Sequence, residues 1–102
     1  MPNAIYYVSY KLKKGTSVPD FLLAAEALND GHISKQKGYI SWEQMVDGET
    51  WADMCTFETM EDLKAFEEAS QNPGELALKF YSFINLMSCK GHKFSVEKRY
   101  GK

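Results

Sequence analysis

The sequence predicts one α+β domain whose elements follow the order β-α-β-β-α-(α)-β. Three observations carry this prediction: an alternating first strand, a hairpin centred on Asp47-Gly48, and two capping boxes that each open an amphipathic helix. With right-handed crossovers, this order folds as a four-stranded antiparallel sheet with helices on one face, the ferredoxin-like βαββαβ arrangement. The 102 residues suit one domain, residues 1–102, without a linker or repeat.

The first strand is predicted from Ile5 to Leu12 and is apolar on both sides. One side carries Tyr6, Val8, Tyr10 and Leu12, and the other carries Ile5, Tyr7, Ser9 and Lys11. Because the helices cover only one face of the sheet, large apolar groups on the other face would form an exposed patch, and such patches usually mark an interface. The sequence therefore predicts a homodimer that packs through its sheet faces.

The first helix is predicted to open with the capping box Ser17–Asp20. Its periodic pattern continues past Gly31 toward Lys37, and Gly38 is a natural helix end. A glycine inside a helix costs about 1 kcal/mol relative to alanine. We therefore expect the helix to bend at Gly31 or a neighbour to pack closely there.

The hairpin spans Tyr39 to Phe57, and Asp47-Gly48 suits a two-residue turn with positive φ at both positions. This turn places Trp42 opposite Asp53. One face then carries both tryptophans together with an amide and an acid; its members are Ile40, Trp42, Gln44, Val46, Trp51, Asp53, Cys55 and Phe57. A loop one residue longer would break this grouping.

Two helices and a last strand complete the predicted fold. The second helix opens with the capping box Thr59–Asp62, and a third is capped by Asn72–Glu75. The apolar stripe of the third helix consists of Leu76, Phe80, Phe83, Ile84 and Met87. The last strand is predicted from about Ser88 to Tyr100.

Composition excludes several classes of protein. A net charge of −2 argues against a nucleic-acid binder. The chain has no apolar run long enough to cross a membrane and no secretory signal pattern. Its two cysteines, Cys55 and Cys89, are expected to be reduced core residues, which favours a cytoplasmic location. Their spacing does not suit a zinc site, and neither a nucleotide motif nor an acyl-enzyme motif occurs, so we expect no cofactor and no metal.

Several segments together resemble the dimeric α+β barrel superfamily, and in particular its antibiotic biosynthesis monooxygenase-like domains. These segments are Leu28-Asn29, Ser34–Ser41, Trp51–Asp53 and Phe57–Leu63. The similarity covers nearly the whole chain. It implies a homodimer with a pocket in each protomer between the helices and the sheet, and members include cofactor-independent monooxygenases of aromatic polyketides and haem-degrading oxygenases.

The residues that this resemblance associates with haem degradation are missing here. Those members carry an Asn on the first strand, a Trp just before the second helix and a His on that helix. The corresponding positions hold Tyr7, Ser9 or Tyr10 on the strand and Phe57 before the helix, and Met60–Ala69 contains no histidine. Haem degradation is therefore not expected.

Two residues are candidate bases. Asp53 lies in mid-strand among tryptophans, and burial there would raise its pKa into a range suited to proton abstraction from a phenol. The alternative is an acid held by an indole N–H or by a lysine across the dimer. His32 continues the helical series of Phe21, Ala25 and Leu28 and is a candidate base or hydrogen-bond donor. The alternative is a partly exposed histidine at a helix end.

Aromatic residues are the candidate ligand contacts. Trp42, Trp51 and Tyr7 would form a slot for a flat ligand, and His92 on the last strand would add to the lining. The alternative places these side chains in the core or the dimer interface.

These features predict a small-molecule-binding homodimer related to cofactor-independent monooxygenases, acting on an aromatic or quinol-like compound. The alternative is a non-enzymatic dimer that binds a ligand or a partner. Docking of a protein or peptide on the acidic second helix has no specific support, because a charged helix face is normally only solvated.

Overall fold

The computed structural model describes residues 2–101. The strands are β1 (Ala4–Leu12), β2 (Tyr39–Asp47), β3 (Thr50–Phe57) and β4 (Ile84–Ser95), and the helices are α1 (Val18–Gly31), α2 (Met60–Ala69) and α3 (Glu75–Tyr81). The sheet has the order β2-β3-β1-β4, and every neighbouring pair of strands is antiparallel. The predicted ferredoxin-like fold is confirmed.

The β2-β3 hairpin turns one residue later than predicted. Its loop is Gly48-Glu49, and only Gly48 has a positive φ, of 61°. Trp42 therefore pairs with Cys55, and the predicted pairing of Trp42 with Asp53 is wrong by two residues. An even shift keeps each side chain on its predicted face, because side chains alternate with a period of two.

A bulge at the start of β2 makes the predicted faces of Tyr39 and Ile40 wrong. The register shifts between Tyr39 and Ser41, so Tyr39 pairs with Phe57 and lies on the helix side. Its hydroxyl donates a hydrogen bond to Asn29 Oδ1 of α1 at 2.8 Å. Ile40, predicted for that face, is exposed instead.

Helix α1 is shorter than predicted. Ser17 caps it by accepting a hydrogen bond from the Asp20 N–H, but the helix ends at Gly31 and a 3₁₀ turn at Ile33–Lys35 follows. A Cβ atom added to Gly31 would lie 2.5 Å from Leu76 Cδ1 of α3. The predicted close packing at this glycine is confirmed.

The second predicted cap is confirmed and the third is wrong. Thr59 Oγ1 accepts a hydrogen bond from the Asp62 N–H at 3.1 Å at the start of α2. Helix α3 is capped by Gly74 rather than Asn72, and it ends at Tyr81. Ile84 and Met87, assigned above to its apolar stripe, lie in β4.

Strand β4 begins and ends earlier than predicted and contains a wide bulge. Its register on β1 shifts between Ser9 and Lys11, which leaves the segment 86–89 opposite Tyr10. Ser88 Oγ holds the bulge in place by accepting a hydrogen bond from the Lys11 N–H at 2.8 Å. Met87 projects from it with 98% of its surface exposed.

The core lies between the helices and one face of the sheet. Phe21 of α1 is fully buried at its centre and stacks on Phe80 of α3, with ring centroids 5.2 Å apart. Phe57 of β3 packs in a tilted arrangement against Phe66 of α2, with ring centroids 5.1 Å apart. These contacts fix the helices over the sheet and position the cavity described next.

Candidate functional site

A cavity of about 250 Å³ lies between the helices and the sheet. Its walls are mostly apolar and aromatic, and they consist of Tyr6, Val8, Tyr10, Leu28, Ile33, Trp42, Asp53, Cys55, Phe66, Phe80, Tyr81, Ile84, Leu86 and Cys89. A wider groove of about 850 Å³ exists at the loop after β1, but it is an open surface groove lined by lysines and aliphatic side chains. The smaller cavity is the candidate site, because only this one contains a buried charged residue surrounded by aromatic rings.

Asp53 is the buried acid in this cavity. The period-two pattern of β3 turns it toward the helices, next to Val8 on β1 and Gln44 on β2, and only 5% of its surface is exposed. The Tyr10 hydroxyl donates a hydrogen bond to Asp53 Oδ1 at 2.7 Å. Burial raises the pKa of Asp53 to about 7, although hydrogen-bond donors on Tyr10, Trp42 and Gln44 oppose the rise. A carboxyl group with this pKa accepts and releases a proton near neutral pH.

Tyr10 is a hydrogen-bond donor to this carboxyl group. Burial, followed by the nearby negative charge of Asp53, raises the pKa of Tyr10. The phenol therefore keeps its proton and directs it toward Asp53 Oδ1. Tyr10 was not among the residues predicted for the site.

Two further hydrogen-bond donors lie close to Asp53. Trp42 Nε1 and Gln44 Nε2 are both buried, and neither has a hydrogen-bond partner among residues 2–101. Both nonetheless lie near enough to the carboxyl group to lower its pKa. Buried donors without partners are rare in folded proteins, so this pair of nitrogens is available to a ligand.

Trp51 shares the inner face of the sheet but does not line the cavity. It pairs with Tyr10 across the strands, and its ring packs edge-on against Phe21, with centroids 5.2 Å apart. Its position matches the core alternative rather than the predicted ligand slot.

His32 lies outside the cavity as well. Because α1 ends at Gly31, His32 occupies the turn after the helix, and its Nδ1 atom lies 3.5 Å from Gln36 Nε2. It lines a separate open cleft beside the start of α3. His32 was expected on the inward face of α1, but the helix ends one residue before it.

Tyr7 and His92 lie on the opposite face of the sheet from Asp53. They are cross-strand partners on β1 and β4. Both rings contact Phe94 on that outer face, with centroids 6.4 Å from Tyr7 and 5.4 Å from His92. The predicted slot of Trp42, Trp51 and Tyr7 therefore does not form, because a side chain on the outer face cannot enter an inner cavity.

The cysteines are both free, and both line the cavity. Burial, with a smaller effect of Asp53, raises the pKa of Cys55 to about 12, and the same two causes raise the pKa of Cys89. The thiols therefore stay protonated at neutral pH and are poor nucleophiles. Cys89 is exposed at the cavity edge, which differs from the predicted core position.

Within residues 2–101, no group of three or more His, Cys, Asp or Glu side chains is arranged to hold a metal ion. No helix in the same range is long and apolar enough to cross a membrane.

The fold is that of known small oxygenases. The chain matches SnoaB, a cofactor-independent oxygenase from Streptomyces nogalater, over 100% of both chains with a TM-score of 0.74 and 9% identity. It matches the ActVA-Orf6 monooxygenase of Streptomyces coelicolor, solved in complex with nanaomycin D, over 99% of this chain and 93% of the other, with a TM-score of 0.74 and 12% identity. A dimeric ferredoxin-like protein from an uncultured marine organism matches over 100% and 94%, with a TM-score of 0.64 and 11% identity.

Other solved structures with this fold are assigned to the antibiotic biosynthesis monooxygenases. The chain therefore has the antibiotic biosynthesis monooxygenase-like fold that its sequence resembles. No family model matches the sequence, and no curated protein matches it either. At these identities the similarity shows the fold alone.

Proposed function

We propose that this protein is a cofactor-independent, monooxygenase-like homodimer that acts on a small aromatic or quinol-like compound. The observation that carries the proposal is Asp53, a buried carboxyl group with a pKa near 7 in an aromatic-lined cavity. The shared fold with SnoaB and ActVA-Orf6 supports the same class of reaction.

Asp53 acts as the general base in this proposal. It removes the proton of a phenolic hydroxyl, and the electron-rich anion of the substrate then supplies the electrons that reduce O₂. One oxygen atom enters the product and the other leaves as water, so a substrate SH₂ and O₂ give SO and H₂O. The aromatic walls exclude water and orient the ring.

The size of the cavity limits the substrate. Its volume of about 250 Å³ lies just below the usual range of roughly 300–1,000 Å³ for ligand sites. We therefore propose a compound with one or two rings rather than a large polycyclic one.

The outer face of the sheet supports the homodimer. Ile5, Tyr7 and Met54 are only partly covered there, and Phe94 is 51% exposed. Two copies that pack these faces together would remove the apolar surface from water. The two free thiols are consistent with a reducing compartment, so we also propose a cytoplasmic location.

Oxygen uptake in the presence of a hydroquinone series tests the proposed reaction. Asp53→Asn keeps the shape of the side chain but removes the base, and we expect the rate to fall roughly 10²- to 10⁴-fold. Glu67→Gln is the matched control, because Glu67 pairs with Lys93 on the surface and does not line the cavity. An Asp53→Asn variant that consumes oxygen at the wild-type rate would refute the base assignment.

A second candidate is a dimer that binds an aromatic ligand without turnover. The unpartnered donors on Trp42 and Gln44 favour it, since they need only a ligand acceptor and no reaction. Native mass spectrometry of the purified protein, followed by oxygen uptake with any compound found bound, separates the two. A bound compound that consumes no oxygen would favour the non-enzymatic function.

A further inference from the structure

The charge of the cavity restricts its ligands. The titratable side chains in its walls are Tyr6 and Tyr10 from β1, Asp53 and Cys55 from β3, Tyr81 from α3, and Cys89 from β4. All six are acids, and the walls contain no lysine, arginine or histidine. Lys93, which pairs with Tyr6 across the strands, binds Glu67 at the surface. Helices α1 and α2 contribute only Leu28 and Phe66 to the walls, and the charge nearest to the walls from α2 is the Glu67 carboxylate, which raises the pKa of Tyr6.

Asp53 alone among these six groups becomes negative near neutral pH. Burial raises the pKa of both thiols and of the phenols of Tyr6, Tyr10 and Tyr81. A buried carboxylate needs a counter-charge or several donors to remain ionised. Tyr10 donates one hydrogen bond, the donors of Trp42 and Gln44 lie nearby, and the described cavity walls provide no cation.

The walls that surround Asp53 are suited to a cation. Aromatic side chains from four elements line the cavity, namely Tyr6, Tyr10, Trp42, Phe66, Phe80 and Tyr81. The faces of such rings attract an ammonium group, most strongly where water is excluded. The indole N–H of Trp42 and the amide of Gln44 also lie near this carboxyl group and favour its ionised form.

We propose that the cavity selects a small aromatic amine, whose ammonium group pairs with Asp53 while its ring packs among the aromatic walls. This inference goes beyond the proposed oxygenase function, because it concerns a second class of ligand for the same carboxyl group. The amine occupies the base that a phenolic substrate needs, so the two ligands compete. An anionic ligand is rejected, since the walls offer no positive charge.

Three probes of nearly equal size test the charge preference by calorimetric titration at about pH 8: phenylethylamine, phenylethanol and phenylacetate. We expect the amine to bind on the order of tenfold or more tightly than the alcohol, which corresponds to one added cation interaction. Phenylacetate should bind most weakly. Equal binding of the three, tighter binding of the anion, or no binding of the amine at millimolar concentration would overturn the proposal.

Asp53→Asn tests the role of the carboxylate. In this variant the amine should lose its advantage over the alcohol, whereas Glu67→Gln should retain it. A preference for the amine that survives in Asp53→Asn would contradict the inference. If Asp53→Asn fails to fold, the pH dependence of the wild type replaces it: amine affinity should fall as the pH drops below about 7 while alcohol affinity stays constant. An amine affinity that does not change with pH would be the contradicting result.

Oxygen uptake with a hydroquinone separates this inference from the proposed function. Uptake that the amine inhibits supports both. Amine binding without oxygen uptake supports the inference and contradicts the oxygenase function. Oxygen uptake without a preference for the amine supports the oxygenase function and contradicts the inference.

Discussion

The two faces of the sheet differ although they are built from alternate residues of the same strands. On the inner face, Tyr10 and Asp53 are almost fully buried and form a hydrogen bond beside a cavity. On the outer face, the rings of Tyr7 and His92 pack against Phe94, which is half exposed. The hydroxyl groups of Tyr7 and Tyr10 lie only three residues apart on β1, yet only that of Tyr10 is buried beside a carboxyl group. The inner face is suited to a ligand and the outer face to a second copy of the chain.

Replacing one phenylalanine on each side of the sheet should give the largest difference in the free energy of unfolding. Phe21 is fully buried against Tyr10, Trp51 and Phe80, so Phe21→Ala should lower the free energy of unfolding by about 3–5 kcal/mol. Phe94→Ala should change it by about 0.5 kcal/mol or less when measured on the dissociated protomer. Urea unfolding of both variants checks this, and equal losses would show that the outer face is also core.

The pH dependence of stability should identify Asp53 as the buried acid. Its pKa rises from 3.8 in the unfolded chain to about 7 in the folded protein. Folding therefore favours the protonated form: this contribution is largest below about pH 4, declines by up to about 1.4 kcal/mol per pH unit as the pH rises toward 7, and stays constant above it. The stability difference between the wild type and Asp53→Asn isolates this contribution, and thermal unfolding at several pH values measures it. A difference that does not vary with pH would contradict the burial of an ionisable Asp53.

A charge on the outer face should separate the proposed dimer and leave the cavity intact. Phe94→Glu would bury an unpaired carboxylate between the two sheets, which costs on the order of 2 kcal/mol or more in association. We expect the native mass to fall to that of the protomer while ligand binding in the cavity persists. A Phe94→Glu protein that stays dimeric would place the interface elsewhere.

Removing one tyrosine hydroxyl group from each face compares two chemically identical substitutions. We expect their effect on stability to be the smallest of those described here. Tyr10→Phe removes the donor to Asp53 and should raise the pKa of Asp53 further, lowering stability at about pH 8 by roughly 1–3 kcal/mol. Tyr7→Phe on the outer face should leave both quantities nearly unchanged. Thermal unfolding of the two variants at the same pH makes the comparison, and similar shifts in both would remove the distinction between the faces.

Much of the inner face could be predicted from the hairpin sequence. The predicted turn at Asp47-Gly48 was wrong, yet Trp42, Gln44 and Asp53 still share a face, because a shift of two residues preserves alternation. The face assignment failed at Tyr39 and Ile40, where a bulge inserts an extra residue. A bulge has no clear signal in a sequence of alternating residues.

The partners of Asp53 from β1 could not be predicted in the same way. Alternation divides Tyr7 from Tyr10, but it does not tell which set joins the face of the hairpin that holds the acid. That choice depends on the register between β1 and β3, and Tyr10 and Asp53 lie 43 residues apart in sequence. His32 was misplaced for a different reason, since its predicted position required α1 to continue past Gly31.

An NMR titration of the Asp53 carboxyl carbon tests most directly whether this buried acid titrates near neutral pH. We expect a midpoint near pH 7, displaced upward in Tyr10→Phe and unaffected in Tyr7→Phe. A midpoint near the ordinary aspartate value of about 4 would mean that the carboxyl group is solvated or paired with a cation. In that case Asp53 would serve neither as a base near neutral pH nor as the selective counter-ion proposed for the cavity.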